Sequence, residues 1–100
     1  MKQTRKRRIL IVDDSKMNRE ILTGILEDEY DIVEAEDGKK AIAIMEEGLY
    51  SFSIVLLDIT MPELDGFGVL QVMQQRNWLK ELPVIIISAE TSNEYIGHAY

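Results

Sequence analysis

Cysteine is absent from these 100 residues, and histidine occurs only once, as His98. The lack of thiols excludes disulfides and thiolate metal sites. His98 lies far along the chain in a helix-like segment, where a surface or packing role is expected rather than a phosphohistidine or a metal ligand. No apolar run approaches the roughly 18 residues of a membrane span. The basic start, Met1 to Arg8, resembles the first part of a signal peptide, yet the apolar run behind it, Ile9 to Val12, is short and halts at Asp13-Asp14. Secretion is therefore not expected, and a cytoplasmic location is. Gly66-Phe67-Gly68 lacks the further glycine of a dinucleotide fingerprint.

What the chain has in excess is acid, unevenly placed. Lys2, Arg5, Lys6, Arg7 and Arg8 all precede Ile9, while residues 9–100 hold six basic and eighteen acidic residues, a formal net charge of −12. Residues 1–7 are read as a solvated basic tail and residues 8–100 as one folded domain. A body this acidic repels a phosphate backbone, so nucleic acid is not an expected partner of the domain.

Short apolar runs alternate with helical periodicity. Ile9 to Val12, Phe52 to Leu57 and Pro83 to Ile87 are apolar on both sides of the pleat, the pattern of strands covered on both faces. Tyr30 to Ala35 alternates as a more exposed strand would. Between them, Met17, Ile21, Leu22, Ile25 and Leu26 recur at helical spacing behind a cap at Asp14 or Ser15. Asp37 caps a second helix through Ala41, Ile42 and Met45 that Gly48 ends, and a third runs from about Phe67 to Arg76. Thr91 or Ser92 is placed to cap a fourth, which has barely begun at Tyr100. The order βαβαβαβα predicts an α/β fold with a parallel sheet, right-handed crossovers and helices on both faces.

Three of the strands end on short polar residues: Asp13-Asp14, Asp58 and Ser88. A single aspartate in such a place is ordinarily a cap or a solvated turn residue. Three long apolar runs delivering polar groups to one end of a sheet form a different pattern, because open α/β sheets bind ligands there. Clustered carboxylates repel one another and call for a cation, and oxygen donors alone select a hard ion such as Mg2+. Asp58 ends the most apolar strand and is the candidate nucleophile for an aspartyl phosphate, with Asp13 and Asp14 as metal ligands beside it. Ser88 is placed to hydrogen-bond a phosphoryl oxygen, with small Ala89 leaving room.

Taken together, Ile9 to Ser15, the segment Asp58-Ile59-Thr60-Met61-Pro62-Glu63-Leu64-Asp65-Gly66 and Pro83 to Ala89 resemble the receiver domains of bacterial two-component response regulators. The resemblance covers nearly all of residues 8–100. It implies a flavodoxin-like three-layer αβα sandwich with the family's strand order 2-1-3-4-5, here lacking the last β-α unit, with Mg2+ held by Asp13, Asp14 and Asp58, and Asp58 as phosphoacceptor. It further implies that the Thr60 backbone carbonyl completes the metal site and that Ser88 moves toward the phosphoryl group. The implied donor is a phosphohistidine on a sensor histidine kinase or phosphotransfer protein, within a phosphorelay that controls an output, with an output domain expected in a longer parent chain. Receivers end with a fifth strand and helix, and that strand carries a lysine. No such unit follows residue 87 here, so the chain is expected to be C-terminally incomplete, with a bare sheet edge open to pairing.

Two other readings compete. One is a receiver-like interaction scaffold, or a switching-incompetent fragment, in which phosphorylation is lost. The other is an aspartate-nucleophile phosphatase, which would place a second acid two residues after Asp58; that position is Thr60, so the domain is not expected to be an enzyme.

Overall fold

The computed structural model describes residues 6–59 and 66–87. Four parallel strands, β1 (Arg7–Val12), β2 (Tyr30–Ala35), β3 (Ile54–Asp58) and β4 (Val84–Ile87), lie in the order β2-β1-β3-β4. Three helices connect them: α1 (Lys16–Leu26), α2 (Gly38–Gly48) and α3 (Gly66–Gln75). The predicted elements within the described residues are present, and their ends move by no more than two residues. The segment from Thr91 to Tyr100 lies outside the described residues.

Alternation along each strand divides its side chains between two faces. On one face Leu10, Val12, Val55 and Leu57 pack against Ala41 and Met45 of α2 and Val69 and Met73 of α3. Burying each large apolar side chain there contributes about 1.5–3 kcal/mol, which explains why runs this apolar form the sheet centre. On the opposite face Ile9 and Ile11 are equally buried, and α1 packs against β1 and β2. Two covered faces make three layers.

Local signals begin the helices where the sequence places them. The Ser15 hydroxyl accepts from the Asn18 amide at 3.2 Å, which settles the choice between Asp14 and Ser15, and Asp37 accepts from the Lys40 amide at 2.8 Å. Each such cap is worth about 1 kcal/mol. The apolar stripe of α1 is wider than its contact. Met17, Ile21 and Ile25 stay exposed, and only Leu22 and Leu26 are half-buried. No helix among the described residues is long and apolar enough to cross a membrane.

Candidate functional site

In this strand order the chain leaves β1 toward β2 and then returns across the sheet to β3, so the topology reverses between β1 and β3. Open α/β sheets have their crevice at such a point, beyond the carboxyl ends of the strands. The register pairs Val12 with Leu57, and the next residues along the two strands are Asp13 and Asp58. The two carboxylates are therefore neighbours because two apolar strands end in step. Asp13 is 3% and Asp58 4% exposed, while Asp14, one residue on, faces solvent. Carboxylate oxygens of all three lie within 4.8 Å of one another.

Asp13 is held through both its side chain and its main chain. Its Oδ1 accepts from the Ser15 amide at 2.9 Å and its Oδ2 from Asn18 Nδ2 at 3.4 Å. Its own amide donates to the Ala35 carbonyl at 3.1 Å, and its carbonyl accepts from Arg19 Nη1 at 2.7 Å. Burial pushes the Asp13 carboxyl above its ordinary value; the Asp58 charge and the closeness of its carboxyl add to the rise, and the bonds from Ser15 and Asn18 oppose it. Two buried carboxylates this close hold a repulsion that a cation relieves. The donor set consists of oxygens at one crevice, and it fits a hard divalent ion such as Mg2+.

The raised value has a consequence for stability. A carboxyl whose folded-state pKa lies above its unfolded one loses stability as pH rises from the ordinary 3.8 through the folded value. In chelator at neutral pH, Asp13→Asn is expected to raise the melting temperature by about 4–8 °C for each kcal/mol of repulsion relieved. Saturating Mg2+ should shrink or reverse the difference by stabilising only the unsubstituted chain. An Asp13→Asn chain that melts lower than the original in chelator would contradict this reading.

Of the expected site residues, the structure brings together Asp13, Asp14 and Asp58. Thr60 and Ser88 lie outside the described residues, as do Pro62, Ala89 and His98. Trp78 is half-buried beneath Arg76, whose guanidinium carbon stands 5.0 Å from its ring centre. It precedes β4, at the end of the sheet away from the carboxylates.

The site also has members that sequence reasoning missed. Asn18 and Arg19 bond Asp13, and Glu34 bonds Arg19, but none of them ends a strand or sits in a recognisable motif. Only the pairing of β2 with β1 brings Glu34 to α1.

The profile of the response regulator receiver domain matches residues 9–100. The two-component response regulator ORR5 of Oryza sativa subsp. japonica is 32% identical over 90 residues, which make up 89% of this chain and 66% of that protein. The chain thus spans just under two thirds of the length of this relative. The chemotaxis protein CheY4 of Vibrio cholerae superposes with a TM-score of 0.82 at 27% identity, covering 95% of this chain and 78% of its own. The response regulator TrrA of Thermotoga maritima, solved in complex with Mg(2+)-BeF, gives a TM-score of 0.76 at 34% identity, covering 85% of this chain and 71% of its own. These likenesses support a flavodoxin-like fold, and they reach plant as well as bacterial proteins.

Proposed function

The chain belongs to the response regulator receiver domain family, and from that membership we propose that Asp58 accepts a phosphoryl group in a Mg2+-dependent reaction. The observation that carries the proposal is the convergence of Asp13, Asp14 and Asp58 at the topological switch, with two of the three carboxylates buried. A buried carboxylate at the end of a strand is held in one orientation, which favours in-line attack.

In the reaction an Asp58 oxygen attacks the phosphorus of a phosphohistidine. The O–P bond forms as the N–P bond breaks, and the departing imidazole nitrogen keeps the electron pair. Asp13 and Asp14 would hold Mg2+ with Asp58, joined in this reading by the Thr60 carbonyl. The ion, when bound, supplies charge neutralisation for the transferred group. Ser88 donates to a phosphoryl oxygen afterwards, switching the conformation read by an output. A relative solved with Mg(2+)-BeF supports both the choice of ion and the phosphoryl site.

The partners in this reading are a sensor histidine kinase or phosphotransfer protein in the cytoplasm, and an output domain within a longer chain. The domain itself is a signalling module and not an enzyme. Fluorine NMR with beryllofluoride tests the site directly: a bound signal is expected that requires Mg2+ and vanishes in Asp58→Asn. A folded chain with no bound signal at saturating Mg2+ would favour the interaction scaffold instead.

The same proposal includes pairing of two copies along β4, which has β3 as its one strand neighbour among the described residues. Sedimentation at rising concentration reads this, and a monomer at every concentration contradicts it.

A further inference from the structure

Behind the acidic cluster lies a second polar arrangement that does not face the crevice. Glu34 of β2 engages α1 with both oxygens: Oε1 accepts from Arg19 Nε at 3.0 Å and Oε2 from Thr23 Oγ1 at 3.1 Å. These partners lie one helical turn apart, so a single carboxylate fixes the rotation of α1 on the sheet. The other arm of the guanidinium reaches the Asp13 carbonyl at 2.7 Å, and the Arg19 side chain is only 12% exposed. A planar fork with a fixed spread suits this double role, and a lysine ammonium on a flexible stem does not.

The contact with Asp13 runs through the main-chain carbonyl, so Arg19 holds the residue without engaging its carboxylate. With its amide tied to Ala35 and its carbonyl to Arg19, the peptide that carries the first acid is held on both sides. We infer that Arg19 is a positioning residue for cation binding, acting through the Asp13 carbonyl and anchored by Glu34. It keeps the turn of the acidic pair from opening under mutual carboxylate repulsion. The inference rests on the proposed cation site and adds to it a residue outside the ligand set.

The sign of the effect separates positioning from simple electrostatics. Arg19 is a cation close to an acidic cluster, so on charge alone its removal should strengthen Mg2+ binding. Positioning requires the opposite. Mg2+ titration of the full chain by calorimetry, without any phosphodonor, is the measurement. Arg19→Ala is expected to weaken Mg2+ binding about tenfold, in the range found for groups that orient metal ligands. Arg19→Lys keeps the charge but loses the fork, and about threefold weaker binding is expected, where charge alone predicts no change.

Equal or tighter binding by folded Arg19→Ala overturns the inference, even if its melting temperature falls, because that is what a purely structural role produces. Should Arg19→Ala fail to fold, Arg19→Lys decides, and unaltered affinity in that variant overturns the inference. If the unsubstituted chain binds no Mg2+, both the cation site and the role of Arg19 fall. If it binds and both variants match it, only Arg19 does.

Discussion

Gly66→Ala should unfold the chain at a melting temperature roughly 12–24 °C lower, the equivalent of about 3 kcal/mol in a domain of this size. Gly66 is buried and opens α3 directly against the end of β3. A Cβ there would fall 2.4 Å from Ile59 Cα and 2.5 Å from the Asp58 carbonyl oxygen. Both are main-chain atoms, so no side-chain rotation relieves the clash; either α3 or the strand end must move. Helix propensity alone favours alanine over glycine by up to about 1 kcal/mol, so the steric term has to win for the melting temperature to fall.

Gly24 supplies the control. It lies mid-helix in α1 with nothing within 4 Å of its would-be Cβ, and Gly24→Ala should stabilise by about 0.5–1 kcal/mol. Opposite signs for the same substitution at two helical glycines would show that contact with the Asp58 backbone decides the effect. A Gly66→Ala chain that melts with the original would refute the packing described at the end of β3. Because the clash bears on the Asp58 backbone, the proposed phosphoryl site should be displaced even where the protein still folds.

The fold was legible because its signals are local. Ile9 to Val12 and Ile54 to Leu57 carry no polar residue on either face, and only a sheet covered on both sides accommodates that. Ser15 and Asp37 are good caps in the right places, and each caps its helix. The stripe on α1 was harder to read. Five apolar positions share helical spacing, but which of them meet the sheet depends on helix rotation. That rotation is set by the grip of Glu34 on Arg19 and Thr23, a tertiary contact 11 to 15 residues apart in sequence. Met17, Ile21 and Ile25 consequently lie outside the core.

The acidic residues of the site were legible for a related reason. An aspartate that stops an apolar strand is visible in the sequence, and parallel strands of similar length end together. The carboxylates were therefore found, while the groups that hold them were not. Asn18 and Arg19 look like ordinary polar residues of an exposed helix until β2 is paired with β1 and the turn after β1 is folded over them. The close approach of Gly66 to Asp58 likewise depends on how α3 docks. Nothing in the sequence around Gly66 signals that contact.

The second large effect concerns Asp58. Asparagine keeps its size and one carbonyl oxygen but removes the nucleophilic charge, so Asp58→Asn should abolish phosphoryl uptake without harming the fold. Relief of the repulsion with Asp13 should leave that variant at least as stable as the original in chelator.

Intact mass after incubation with acetyl phosphate, with and without Mg2+, tests the central claim most directly. The account predicts a gain of one phosphoryl group on the original chain, lost in chelator and absent from Asp58→Asn. No gain on a chain shown to be folded, or an equal gain in the Asp58→Asn variant, would contradict it.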